Sequence, residues 1–168
     1  MLKDERDILS WCAGLFDADG CLCLYLEHNK KARKYPYLKA TATLDIREEV
    51  ATDIFINEFG GSKRKKKSKC SRHSSTFVWR VSGSALDNFL RKMQGYLILK
   101  APQADLVMRA RAVRQGRTSN VVTEQEHQEI ARLIDIMSKL NATGVGKSWQ
   151  PAALYVQHRK LIPGENME

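Results

Sequence analysis

Residues 11–20 read Trp-Cys-Ala-Gly-Leu-Phe-Asp-Ala-Asp-Gly, and they are the most informative part of the chain. In it, an apolar helical run ends in two acids and a glycine. Gly14 and Ala18 are four residues apart, so both lie on one helix face, where small side chains let a second helix approach closely. Asp19 falls at the end of the helix, and Gly20 is expected to end it in the left-handed conformation.

Two such helices packed side by side would bring two Asp19 carboxylates together at one end. Like charges that close repel each other unless a cation lies between them. A carboxylate at a C-terminal helix end also opposes the helix dipole. Hard oxygen ligands suit Mg²⁺, so the sequence predicts a Mg²⁺ site at Asp19. Asp17 lies two residues before Asp19, and each residue turns the helix by about 100°. Asp17 therefore points to a different side of the helix from Asp19 and is expected to be structural.

The composition favours a nucleic-acid partner. The chain has 168 residues, enough for one domain with a core, and a formal net charge of +9. A basic protein of this size suggests a polyanionic partner, and the apolar runs are too short to cross a membrane. No secretory signal is expected, and the four cysteines lack zinc-type spacing. We therefore expect free thiols in a reducing, intracellular compartment, with organelle, nucleus and bacterial cytoplasm all open.

Hydrophobic periodicity predicts an α+β fold of order αββαββα, with an antiparallel sheet and extra C-terminal helices. Helical spacing covers 5–19, 48–59, 84–93, 102–114 and 123–140, and alternation predicts strands over 21–27, 38–47 and 76–82. The basic block 62–75 offers little to bury, so it is expected to be a mobile ribbon unless a partner orders it. The prediction is one domain over 1–168, with a core at about 5–140 and an extension at 141–168.

The stretch from Ala13 to Gly20 resembles the signature motif of the LAGLIDADG homing endonucleases, and Cys12 and Phe16 replace other apolar residues of that motif. The resemblance implies a sequence-specific, Mg²⁺-dependent endonuclease that cuts double-stranded DNA at a long pseudo-palindromic site and leaves short 3′ overhangs. An intron-encoded origin is favoured because no flanking protein-splicing sequence is seen. The resemblance also implies that four strands form a curved antiparallel sheet, and the single motif copy implies a homodimer. Its expected interface comprises Trp11, Gly14, Leu15 and Ala18.

The same resemblance implies the catalytic residues. Asp19 and the main-chain carbonyl of Ala18 would hold Mg²⁺, with Mn²⁺ or Ca²⁺ able to substitute in binding. Lys100, in Leu-Ile-Leu-Lys before Pro-Gln-Ala-Asp, matches the place of the family's active-site lysine. A polar residue is expected where the second strand ends. Counting the strand alternation gives Glu48, and a slip of one residue gives Arg47.

A sheet with a polar, partly cationic face forms a ribbon of the kind that enters the major groove of DNA. The candidates for base contact on this face are Cys21, Cys23, Tyr25, Glu27, Lys39, Thr41, Thr43, Asp45, Arg47 and Arg80. Cations in the first turn and in the basic block are expected to contact phosphates. These are Lys30, Lys31, Arg33, Lys34, Lys63, Lys65, Lys67, Lys69 and Arg72.

Two binding functions without cleavage are the alternatives. The protein could be an RNA maturase that helps its intron fold, or a non-cleaving DNA-binding protein of the same fold. The basic surface would serve either role. The presence of both Asp19 and Lys100 favours the nuclease.

Overall fold

The computed structural model describes residues 4–27, 37–67, 75–113 and 124–142. Its elements are α1 (Glu5–Asp19), β1 (Gly20–Glu27), β2 (Tyr37–Ile46), α2 (Glu49–Phe59), β3 (Ser62–Lys66), β4 (Thr76–Ser82), α3 (Gly83–Met93), α4 (Ala101–Ala112) and α5 (Glu124–Ala142). The predicted order αββαββα is confirmed from α1 to α3, and α4 and α5 are the additional helices. Most of the predicted C-terminal extension lies outside the described residues.

The four strands form one antiparallel sheet in the order β1-β2-β4-β3. In its register, Leu24 pairs with Ala40 and Leu44 pairs with Trp79. These side chains are buried, and α1, α2 and α3 contact this part of the sheet. The polar residues between them point to the opposite face, which we call the outer face. The predicted two-residue alternation is therefore confirmed in β1, β2 and β4.

The expectation of a mobile ribbon in the basic block is wrong for its first residues. Ser62–Lys66 forms the edge strand β3, in which Lys63 pairs with Trp79 and Lys65 with Phe77. The ladder hydrogen bonds to β4 hold one side of the β3 backbone in the sheet without much hydrophobic burial. Nζ of Lys63 also forms ion pairs with Glu49 and Asp53 of α2. Residues 68–74 of the block lie outside the described part of the chain.

Five aromatic side chains form the centre of the core between the helices and the sheet. They are Phe16, Phe55, Phe59, Trp79 and Phe89, each at most 2% exposed. The ring centroids of Phe16 and Phe89 are 4.8 Å apart, and those of Phe55 and Trp79 are 4.9 Å apart. The indole Nε1 of Trp79 donates a hydrogen bond of 2.8 Å to the carbonyl of Gly60, so its polar atom is satisfied in the core.

Gly20 does not end α1 in the left-handed conformation, and that expectation is wrong. Its φ is −72° and its ψ is 160°, so the chain passes from α1 directly into β1 in extended conformation. A glycine is needed there for a different reason. A Cβ at Gly20 would lie 2.4 Å from Cδ2 of Phe16 and 2.5 Å from the Phe16 carbonyl oxygen. The close approach to Phe16, rather than a positive φ, requires the glycine.

The two additional helices contact β1, an edge strand of the sheet. Nδ2 of Asn141, in α5, donates a hydrogen bond of 3.1 Å to the carbonyl oxygen of Leu22. This contact occupies a main-chain acceptor of the edge strand, which limits pairing with another chain there. Among the described helices, none is long and apolar enough to cross a membrane.

Candidate active site and nucleic-acid interface

Asp19 is the last residue of α1, and its side chain is exposed beside the start of β1. Ala18, the other candidate metal ligand, is exposed as well. In the described part of the chain, no cluster of three or more His, Cys, Asp or Glu side chains could hold a metal ion.

Asp17 lies on the buried side of α1 and is only 7% exposed. One carboxylate oxygen accepts hydrogen bonds from the backbone N–H groups of Ile98 at 2.7 Å and Leu99 at 3.1 Å. The other oxygen accepts from the N–H of Lys100 at 2.9 Å. These three donors lie just before α4, so Asp17 joins the end of α1 to the start of α4. Asp17 is expected to be structural, and these three hydrogen bonds show which backbone groups its carboxylate holds.

Lys100 is the N-cap residue of α4 and is 7% exposed. Its Nζ donates a hydrogen bond of 2.5 Å to the main-chain carbonyl of Asp17, in the last turn of α1. Burial lowers the pKa of Lys100, while the negative charges of Asp17, Cys21 and Asp19 oppose this effect. The structure therefore places the candidate lysine beside the helix end that carries the candidate metal ligand.

The strand-end candidates occupy the segment between β2 and α2. Glu48 is the N-cap residue of α2 and makes no capping hydrogen bond with its side chain. Arg47 directly precedes it, and both side chains are exposed. The helix bounds fit either residue, so the choice between Arg47 and Glu48 stays a prediction.

The outer face carries the expected row of polar side chains. Cys21 pairs with Thr43, which also pairs with Arg80 across the sheet. Nη2 of Arg80 donates a hydrogen bond of 3.1 Å to the hydroxyl of Tyr25, so two candidate DNA contacts are joined in one network. Thr41 is only 2% exposed and offers much less surface than its neighbours.

Two thiols lie next to each other on this face. The Sγ atoms of Cys21 and Cys23 are 3.4 Å apart. The hydrogen bond from Cys23 lowers the pKa of Cys21 to about 6, burial opposes this shift, and the charge of Lys100 adds to it. The same hydrogen bond and burial raise the pKa of Cys23. The sequence alternation placed both residues on the outer face but did not reveal their contact.

The register of β3 divides its cations between the two faces. Lys63 and Lys65 lie on the helix side, where each ammonium is within 6 Å of the Phe77 ring centroid, at 5.9 and 5.5 Å. Arg64 and Lys66 alternate with them and lie on the outer face. Nζ of Lys66 is 2.7 Å from Oδ2 of Asp45. The DNA role expected for Lys63 and Lys65 stays a prediction, and their placement does not favour it.

Other candidate contacts are less completely described. Lys67 is exposed after β3, Lys39 is half-buried in β2, and Glu27 ends β1. Six predicted phosphate contacts lie outside the described residues, namely Lys30, Lys31, Arg33, Lys34, Lys69 and Arg72. Arg64 and Lys66 lie within the basic block but were not among the individually predicted contacts, because nothing in an unbroken run of cations indicates which of them share the outer face.

The exposed side of α1 carries the expected dimer interface. Trp11 is 38% exposed, Gly14 and Ala18 are exposed, and Leu15 is partly buried. Among the residues that the structure describes, a Cβ at Gly14 would meet nothing within 4 Å, so these residues give no steric reason for a glycine there. The small-residue face of α1 is thus free for a second helix.

These elements define the fold of the LAGLIDADG homing endonucleases. The chain is similar to the homing endonuclease I-CvuI in complex with its target in the presence of calcium, with 22% identity over 91% of this chain and 93% of that chain and a TM-score of 0.65. It is also similar to the archaeal intron-encoded homing endonuclease I-Vdi141I complexed with DNA, with 12% identity, coverage of 94% and 98%, and a TM-score of 0.68.

A third similar structure is the LAGLIDADG homing endonuclease I-GzeII in complex with its DNA target. It is 20% identical and has a TM-score of 0.62, and the match covers 95% of this chain but 53% of that one. No protein-family profile and no curated protein matches the sequence. The resemblance predicted from the motif is therefore confirmed at the level of the fold.

Proposed function

We propose that the protein is a Mg²⁺-dependent, site-specific endonuclease of double-stranded DNA, acts as a homodimer and is encoded within an intron. The observation that carries the proposal is the junction of α1, β1 and α4. There, an exposed Asp19 ends a helix whose small-residue face is free, and a buried Lys100 contacts the same helix end. The outer face of the sheet begins at this junction, with Cys21.

The donor set at this junction fits the proposed metal. Asp19 would supply a carboxylate oxygen and Ala18 a carbonyl oxygen, and Mg²⁺ prefers such hard ligands. A bound divalent ion supplies Lewis acidity and lowers the pKa of a coordinated water. Two α1 helices packed through Gly14 and Ala18 would bring one Asp19 from each subunit to a shared site. The absence of a complete cage within the described part of one subunit is consistent with such sharing.

The positions of Asp17, Lys100 and the outer-face side chains indicate a role for each of them. Asp17 holds the backbone of residues 98–100, and the Asp17 carbonyl holds the ammonium of Lys100. Lys100 would stabilise negative charge that develops on the phosphate or on the leaving oxygen. The outer face would lie in the major groove, with Arg80 and Tyr25 directed at base edges and with Arg64 and Lys66 at phosphates. Cleavage would occur at a long pseudo-palindromic site and would leave short 3′ overhangs.

The proposal is tested on the DNA that flanks the gene. Joining the two flanking sequences recreates the uninterrupted locus, which is the expected target. Purified protein should cut this DNA with Mg²⁺, and EDTA should stop the reaction. Tight binding without cleavage at any Mg²⁺ concentration would instead favour a binding protein of the same fold. A comparison with the intron RNA as ligand would then separate the maturase from a DNA-binding regulator.

Gly14→Leu is expected to separate the subunits and abolish cleavage while leaving the monomer folded. A Cβ at this position meets nothing within 4 Å among the described residues of one chain. At a close helix–helix contact, however, overpacking costs about 1–3 kcal/mol and the backbones must move apart. Sedimentation velocity and cleavage of the same samples measure both effects. Asn57→Leu, which adds a leucine at an exposed position of α2, is the matched control and should remain a dimer. A wild-type monomer that cuts both strands would contradict the proposed assembly.

Replacing Arg64 and Lys66 together with alanine is expected to weaken binding to any double-stranded DNA. Each lost phosphate contact reduces the slope of log K against log salt by about 0.9, so the slope should fall by up to about 2. The measurement is fluorescence anisotropy with random duplex DNA at several salt concentrations.

The matched control for this experiment is the double substitution of Lys63 and Lys65 with alanine, which removes the same charge from the helix side of β3. It should change the salt slope much less. It should also lower the melting temperature, because Lys63 pairs with Glu49 and Asp53. If the salt slope falls equally in both double variants, the cations on the outer face do not contact DNA in preference to those on the helix side of β3.

A further inference from the structure

One side-chain hydrogen bond crosses the outer face from β4 to β1. Nη2 of Arg80 donates it to the hydroxyl of Tyr25 at 3.1 Å. The strand β2 lies between these two strands. Because neighbouring strands are about 4.8 Å apart, the backbones of β4 and β1 are separated by roughly 10 Å. Both side chains therefore have to extend along the surface of the sheet in order to meet.

The row of the sheet between these two residues is covered. Thr41 pairs with Cys23 in the row between those of Arg80 and Tyr25, and it is only 2% exposed although it belongs to the outer face. This burial is expected if the two long side chains lie over Thr41. A hydrogen bond with Cys21 and burial raise the pKa of Cys23, and the positive charge of Arg80 opposes them. The guanidinium thus lies close to this row, over the middle of the sheet.

The contact with Tyr25 leaves the guanidinium able to form a bidentate hydrogen bond. A guanidinium has five N–H donors and no acceptor, in two parallel pairs, one on Nη1 and Nη2 and the other on Nη2 and Nε. Donation from Nη2 to the hydroxyl uses one N–H, so one complete pair remains. In the major groove, guanine presents two adjacent acceptors, N7 and O6, whereas adenine presents an acceptor beside a donor. A cationic pair of parallel donors therefore matches guanine.

We propose that Arg80 reads a guanine in each half of the DNA site, and that Tyr25 is a positioning residue that holds the guanidinium in the reading orientation. The inference rests on the proposed function, because it requires duplex DNA against the outer face. An arginine side chain loses rotamer freedom when it binds, and the hydrogen bond to Tyr25 restricts that freedom before DNA arrives. In a homodimer the two guanines lie on opposite strands at positions related by the two-fold axis.

The experiment selects duplexes from a randomised DNA pool with the full chain, with Ca²⁺ in place of Mg²⁺, and sequences the bound fraction. The wild type should select guanine at one pair of symmetric positions. A bidentate contact discriminates about 5- to 150-fold against the wrong base, and Arg80→Ala should lose this preference at those positions alone. Arg80→Lys keeps the charge without the fork. It should lose most of the preference while the salt slope on random duplex stays nearly unchanged.

Tyr25→Phe tests the positioning role, because it keeps the ring and removes only the hydroxyl. The preference for guanine should fall several-fold at the same two positions, and the salt slope should not change. Tyr96→Phe removes the same hydroxyl from a tyrosine that packs against the core, and this matched control should select the wild-type bases. Melting temperatures show that each variant is folded. A tie that is only structural would lower the melting temperature of Tyr25→Phe without changing its base preference, and this result would overturn the positioning role.

The remaining outcomes separate the inference from the proposed function. If Arg80→Ala selects the wild-type bases at every position, or loses its preference for a base other than guanine, the inference is overturned and the site-specific DNA-binding protein stands. If the wild type selects no sequence at all, the proposed site-specific nuclease fails, and the inference fails with it. The two failures are thus distinguishable from one set of selected sequences.

Discussion

Asp19→Asn is expected to abolish DNA cleavage while leaving DNA binding intact. The amide keeps the shape of the side chain but removes one negative charge per subunit from the proposed metal site. Loss of an outer partner of a metal ligand costs about 10–100-fold in metal affinity or activity, so loss of a direct ligand should cost more than about 100-fold. DNA affinity should be unchanged or higher, because repulsion between this carboxylate and the phosphates also falls.

The measurement is a paired assay of binding and single-turnover cleavage at one Mg²⁺ concentration. Asp135→Asn is the control, since Asp135 is a surface carboxylate of α5 that pairs with Lys139 of the same helix at 2.6 Å. It should cut at the wild-type rate. Cleavage by Asp19→Asn at that same rate would remove Asp19 from the metal site, and the proposed nuclease would lose its central residue.

Asp17→Asn is expected to reduce both stability and cleavage. The buried carboxylate accepts three backbone hydrogen bonds. An amide turns an NH₂ group towards at least one of these N–H donors, and hydrogen bonds to a charged group contribute about 1.5–3 kcal/mol each. We expect the free energy of unfolding to fall by about 2–4 kcal/mol in denaturant titrations. Cleavage should slow as well, because the segment that carries Lys100 is no longer held against α1.

A double-mutant cycle separates these two effects. Lys100→Met should slow cleavage with DNA binding near normal. If Asp17 acts on cleavage through Lys100, then Asp17→Asn should slow the Lys100→Met variant little further, because coupled residues are not additive. Asp87→Asn is the control, since it breaks the ion pair with Arg111 that ties α4 to α3. Its effect on cleavage should be small, and additive with that of Lys100→Met. Additive effects of Asp17→Asn would mean that Asp17 acts on stability alone.

Much of the fold could be predicted from local pattern. The helical stripe before Asp19 and the two-residue alternation of β1, β2 and β4 each arise from side chains within a few positions of one another. The motif likewise indicated the small-residue face of α1 without knowledge of the rest of the chain. These features depend on short-range periodicity, which a sequence displays directly.

The partners of Asp17 could not be predicted in the same way. Its carboxylate meets the backbone of Lys100, which is 83 residues away along the chain. Every residue other than proline has a backbone N–H group, whatever its side chain. The sequence therefore does not indicate that residues 98–100 donate hydrogen bonds to Asp17. An acid on the buried side of a helix was the available signal, and it indicated a structural role but no partner. The link between Lys100 and the end of α1 depends on the same long-range contact.

Sequence pattern was enough to predict the helices, the strands β1, β2 and β4, the position of Asp19 at a helix end and the basic charge of the chain. Contacts that form only on folding establish which cations share the outer face with Arg80 and that the sulfurs of Cys21 and Cys23 lie 3.4 Å apart. They also show that Gly20 is required by the Phe16 ring rather than by a left-handed turn. The physical reason is that side-chain type and spacing fix local periodicity, whereas strand register, rotamers and close approach are fixed by neighbours that meet only when the chain has folded.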